Sequence, residues 1–197
     1  MKAKQKFLQN ATRIVAVIAG IALFAALFVP IWQIQLTAPQ YPEGLELYIY
    51  ADKLDGDVQI INGLNHYIGM RELHEQDFVE FAILPYVIGA LGLMGLVVAL
   101  VNRRRLFFIW VTIYGLFGVL AIIDFYKWLY DYGHNLDPAA PIQVPGMTYQ
   151  PPLIGFKQLL NFGAYSIPAK GGWLMIGAAV LLIAMFFVEL KKEKKEA

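Results

Sequence analysis

At 197 residues the chain has room for one or two small domains. Its 58% hydrophobic and 16% charged content excludes an ordinary soluble fold and calls for lipid as part of the solvent. The net charge of +1 selects no partner, and the absence of cysteine excludes disulfides, iron–sulfur clusters and thiolate zinc sites.

Residues 1–13 are basic, and residues 14–34 stay apolar for long enough to cross ~30 Å of hydrocarbon as a helix. Pro30 is expected to kink or end that helix, and Trp32 to anchor it at the interface. Pro39, directly after Ala38, would block the one plausible signal-cleavage site, so the segment reads as an uncleaved anchor.

The loop over 35–81 opens with a turn-forming stretch, Ala38 to Gly44. Residues 45–51 (LELYIYA) alternate as a half-buried strand does, and 58–61 (VQII) are expected to return as its partner in a small β-hairpin. A helix is expected from about Leu64. Further spans are predicted over 82–101, 106–128 and 173–190. Asp124 is expected to pair with Lys127 at the interface, and Glu189 to be solvated beside Lys191 and Lys192. Between the last two spans, the loop over 129–172 holds six of the ten prolines, and 153–162 suit a short interfacial helix.

The lysines and arginines of 1–13, 103–105 and 191–195 fall on one side, which predicts a bacterial inner-membrane protein with both termini cytoplasmic. The expected fold is therefore an all-α membrane protein of four transmembrane helices, with two long outer loops packed into a cap. An internal echo adds to this. Ile68-Gly69-Met70-Arg71-Glu72-Leu73 returns as Ile154-Gly155-Phe156-Lys157-Gln158-Leu159, and Ala38-Pro39 as Ala140-Pro141. The pattern suggests a duplicated two-helix unit with a pseudo-twofold along the membrane normal.

The candidate chemistry is copper. On a helix, His66, Met70 and His74 follow at four-residue spacing and share a face, and imidazole with thioether suits copper(I). His134 and Met147 would complete the shell if the two loops pack together. The competing reading is that His66, Asn62 and Asn65 cap a helix or satisfy loop backbone, and Gly69 weakens the helical register. No predicted span contains a histidine, which argues against a transmembrane haem, while a quinone site leaves no signature distinct from packing. The first loop carries nine acids against Lys53 and Arg71, a charge suited to metal ions or a basic partner, and also the ordinary complement of a basic inner face. No phosphate loop, nucleophile triad, zinc-protease motif or nucleic-acid signature is present, so a non-enzymatic role is expected.

At APQYPEGLELYIYADKL, INGLNHYIGM and PGMTYQPPLIGFKQLLNF the chain resembles small four-span bacterial membrane proteins encoded in nitrous-oxide-reductase gene clusters. The resemblance covers nearly the whole chain. It implies an accessory role in maturing, or passing electrons to, a periplasmic respiratory copper enzyme, with His66, Met70 and His74 as the copper core. The alternative is a structural or electron-transfer subunit of a respiratory membrane complex, binding lipid or quinone between its helices.

Overall fold

The computed structural model describes residues 7–196, with side chains through Lys192. Lys2, Lys4 and Lys6, and the side chains of Lys194 and Lys195, lie outside it. The elements are α1 (Asn10–Ala26), β1 (Trp32–Ala38), β2 (Tyr41–Ile49), β3 (Leu54–Gly56) and α2 (Val58–Ile68), then a 3-10 turn (Glu75–Asp77). They continue with α3 (Val79–Val101), α4 (Arg104–His134), β4 (Gly155–Leu159), β5 (Phe162–Pro168) and α5 (Lys170–Glu196). The chain is mostly helical, with one antiparallel five-stranded sheet in the order β3-β2-β1-β5-β4.

Three helices, α3, α4 and α5, are long and apolar enough to cross a membrane, and α1 is a shorter apolar helix of 17 residues. The four pack as a bundle in which α1 lies against α3 and α5, and α4 touches both of those. Leu23, Ile88, Phe107, Trp110 and Leu182 fill the centre. A Cβ on Gly20 would stand 2.8 Å from the Gly92 carbonyl oxygen, so bare backbone sets how closely α1 and α3 approach. Leu93, Leu100, Leu116, Leu120 and Val180 are exposed on the bundle's outer surface, where lipid contact suits them.

The expected first span over 14–34 is cut short. Its helix ends at Ala26, and Trp32–Ala38 is strand β1. Pro30 stops the helix, and from there Ile34 and Leu36 alternate with Gln33 and Gln35 at the period of a strand. The expected hairpin is corrected too. Tyr41–Ile49 pairs with β1 and with β3, while residues 58–61 start α2. Residues 153–162, expected as a helix, form β4 and the turn into β5.

The cap and the bundle are joined by backbone. The Ile31 amide donates to the Ile49 carbonyl at 2.8 Å, the Ala169 amide to Ile31 at 3.0 Å, and the Gly171 amide to Pro30 at 2.8 Å. α1 thus leads into β1, and β5 leads into α5, with the two strands paired from Trp32↔Pro168 to Thr37↔Gly163. α4 also enters the cap. Its 31 residues span about 46 Å, well beyond the ~30 Å of a hydrocarbon core. The excess carries Leu129, Tyr132 and Gly133 into buried positions under the sheet.

At the opposite end Glu189 is fully buried, not solvated. It accepts from Arg104 Nε at 2.9 Å, Thr12 Oγ1 at 2.7 Å and the Gln9 amide at 2.8 Å, tying the start of α4, the start of α1 and the last turns of α5 together. Asp124 and Lys127 form no ion pair with each other. Asp131 instead meets Arg71, whose guanidinium lies 4.7 Å over the Tyr132 ring.

Candidate functional site

The expected shared face of His66, Met70 and His74 does not form, because α2 ends first. Gly69 takes φ 79° and ψ 11°, the left-handed conformation that closes a helix, and the Met70 amide turns back to the Asn65 carbonyl at 2.9 Å. His66 sits exposed in the last turn of α2, edge-on to Tyr67 at 6.1 Å. His74, also exposed, lies just before the 3-10 turn with Nε2 3.2 Å from a Glu72 oxygen. Met70 is half-buried among apolar side chains. His134 closes α4, stacked on Tyr130 at 3.9 Å with Nδ1 2.9 Å from the Tyr130 carbonyl oxygen. Among the described residues no group of three or more His, Asp or Glu side chains is placed to hold a metal ion.

The asparagines serve the backbone. Asn62 accepts from the Leu73 amide at 2.7 Å and donates to the Leu73 carbonyl at 3.1 Å, while Asn65 donates to the Arg71 carbonyl at 3.2 Å. These bonds give the extended segment after Gly69 the partners a buried loop requires.

The two loops do pack together. The Asp137 amide donates to Gly69 at 2.8 Å and the Ile142 amide to Tyr67 at 2.9 Å, while within the second loop the Tyr149 amide donates to Gly133 at 2.9 Å. A Cβ on Gly133 would stand 2.3 Å from Gln150 Cα, so α4 and the 149–150 segment touch through backbone alone. This brings Met147 and Met70 against one cluster of buried residues, Ile68, Tyr149, Leu159 and Ala164.

Strand alternation decides what the sheet presents to each side. Ile34, Leu36, Leu45, Leu47 and Ala164 face inward, and Gln33, Gln35, Glu46, Tyr48 and Phe156 face outward. On the outward face Glu46 gathers the Gln35 amide at 3.2 Å and the Tyr48 hydroxyl. That bond to the carboxylate, ahead of a small burial effect, raises the Tyr48 pKa above its ordinary value. Two of the loop's acids are likewise occupied with backbone. Asp57 accepts from the Glu46 amide at 2.8 Å, and Glu75 from the Leu54 amide at 2.9 Å.

Beneath the inward face, between the sheet, α2 and the end of α4, lies a cavity of about 70 Å³. Leu36, Leu47, Ile61, Met70, Trp128 and Tyr149 are among its walls, which are almost wholly apolar. Aromatic rings close its base. Trp128 packs on Phe125 at 5.6 Å, Phe78 at 5.6 Å and Tyr132 at 5.0 Å. One wall residue holds a buried polar atom with no hydrogen-bond partner among the described residues, the Tyr149 hydroxyl. Tyr149 is 2% exposed, and Tyr132, beside Trp128, donates its own hydroxyl to the Glu72 carbonyl at 3.3 Å. A buried polar group left unpaired costs about 1–3 kcal/mol, so the Tyr149 hydroxyl stands out in a packed core.

Sequence reading missed this cavity because its walls come from seven segments. The one local signal was Tyr149 among Pro145, Pro151 and Pro152, a large amphipathic ring fixed in a stiff segment. Compared with known proteins, the chain matches no family model, no curated protein and no solved structure.

Proposed function

We propose that the chain is a non-enzymatic accessory protein of a bacterial inner membrane, crossing it four times with its lysine-rich end in the cytoplasm. The cap is its working surface, and a protein partner in the outer compartment or the same membrane is its target. The observation that carries this reading is the backbone weld at Pro30, Ile31 and Ala169–Gly171. It makes the cap a rigid continuation of the bundle, the build of a platform or subunit. The basic stretches at 103–105 and 191–192 lie at the end opposite the cap, as cytoplasmic anchors would.

Reporter fusions after Ala197 and within the 139–146 turn test the orientation, with the first active in the cytoplasm and the second outside. Affinity purification of the full chain in mild detergent tests the role. A stoichiometric partner protein, lost when the 139–146 turn carries a bulky insertion, is the expected result. A chain that purifies alone from its native membrane would end the accessory reading.

A second reading, copper(I) handling in support of a periplasmic respiratory copper enzyme, draws on the likeness to proteins of nitrous-oxide-reductase clusters. Met70 and Met147 both pack against the Ile68, Tyr149, Leu159 and Ala164 cluster, and thioether ligands suit copper(I). Copper(I) retained by the wild type and lost in a His66→Ala, Met70→Ala, His74→Ala variant and in a Met70→Leu, Met147→Leu variant supports it. Equal retention in all three excludes it.

A further inference from the structure

We propose that the groove between α4 and α5 at the basic end of the bundle binds one anionic phospholipid, with Arg105 on its phosphate and an acyl chain along the apolar wall. The wall comes from both helices, Phe108, Ile109, Thr112 and Ile113 of α4 and Phe186 and Leu190 of α5. Phe108 meets Phe186 edge-on at 4.8 Å, so the two rings bridge the helices, and Ile109 and Ile113 stand exposed beside them. The groove holds about 390 Å³, against the ~150 Å³ that takes benzene, so a stretch of acyl chain fits.

The charge at its end selects the head. Arg105, Phe108, Ile109 and Thr112 follow at the spacing that places them on one face of α4. Arg105 is exposed, about 4.5 Å along the axis from where the wall begins, and has no hydrogen bond or ion pair among the described residues. Lys191 and Lys192 add charge where α5 leaves the groove. Glu189, the one acid at this end among the described side chains, is already taken by Arg104, Thr12 and the Gln9 amide, so the surplus is positive. A guanidinium grips a phosphate through two parallel hydrogen bonds, and basic pockets between membrane helices hold acidic lipid heads. A net negative headgroup answers the surplus, which a zwitterionic one does not.

A helix from another protein fits less well. From Phe108 to Ile113 the wall runs for about 7.5 Å, little more than one helical turn, and such a partner would have to bring an acid for Arg105. The site needs only that α4 and α5 lie in a bilayer, so it stands apart from the partner protein proposed above.

The test mixes the full chain in detergent with palmitoyl-oleoyl phosphatidylglycerol, or with phosphatidylcholine of the same chains, and counts retained lipid by native mass spectrometry. One phosphatidylglycerol per chain, retained at least fivefold over phosphatidylcholine, is expected. Arg105→Gln should lower that retention at least threefold. Ile109→Trp, which fills the groove and leaves every charge in place, should do the same. Arg103→Gln should not, because helical residues two apart do not face each other. All three positions are exposed, and an unchanged Tm in detergent alone checks each fold. Equal retention of both lipids, equal loss from Arg103→Gln and Arg105→Gln, or wild-type retention in Ile109→Trp would overturn the site. A second polypeptide retained in place of lipid would overturn it in favour of a helix partner.

Discussion

Arg104 Nε and Glu189 Oε2 stand 2.9 Å apart with side chains 3% and 0% exposed, the most deeply buried ion pair among the described residues. Removing the Glu189 carboxylate takes the acceptor from Thr12 Oγ1 and the Gln9 amide and a buried counter-charge from Arg104. Glu189→Ala should therefore lower stability by about 3–5 kcal/mol, while Arg104→Met with Glu189→Leu should recover most of the loss. Thermal unfolding of the detergent-solubilised chain measures both, and an intact Tm in Glu189→Ala would show that the pair is solvated after all.

Trp32 and Ser166 join the paired strands that lead from α1 and into α5. Trp32 Nε1 donates to Ser166 Oγ at 2.8 Å, and Ser166 Oγ donates to the Leu153 carbonyl at 3.1 Å. Ser166→Ala leaves an indole N–H and a carbonyl unpaired, for an expected loss of about 1–3 kcal/mol. Trp32→Phe made together with it should restore part of that, which a double-mutant cycle on chemical unfolding resolves.

Gly69 is where α2 closes and the second loop is received. At φ 79° a side chain is strained, and its Cβ would also stand 2.9 Å from the Asp137 carbonyl oxygen. Gly69→Ala should destabilise by more than about 1 kcal/mol. The loss should be local, read as faster amide hydrogen exchange at Asp137 and Ile142 while the bundle amides keep their rates.

Tyr48 gives the cap a dependence on alkaline pH. Its hydroxyl donates to Glu46, so the folded pKa is raised above the ordinary value of 10.0. The contribution is present below that ordinary value and disappears as pH climbs through the raised one. Tyr48→Phe should flatten the alkaline fall in cap stability, as followed by the unfolding midpoint across that range, and a fall identical to wild type would assign it to other groups.

The apolar bulk of the chain, the helices at 82–101 and 106–128 and the meeting of the two loops could be read from hydropathy and loop composition. The strands could have been. Gln33 and Gln35 alternate with Ile34 and Leu36, but that short period-two pattern was masked by the apolar run before it. VQII carried strand propensity and became the first turn of α2, because the backbone partner of β2 came from 32–38, on the other side in sequence. The burial of Glu189 was not legible, since its partners Thr12 and Arg104 lie 177 and 85 residues away. The echo of 68–73 in 154–159 also reads differently in three dimensions. Gly69 and Gly155 both take positive φ, yet one closes a helix and the other opens β4.

The pairing of Trp32 with Pro168 has a consequence for the order in which the molecule is made. The edge of β1 that receives β5 is synthesised some 130 residues before its mate, so it must wait uncovered while α3 and α4 are inserted. Such long-range strand contacts form late and leave a sticky ribbon exposed meanwhile. Shortening the chain before residue 162 should then leave an apolar bundle bearing half a sheet, a species for quality-control proteases to clear.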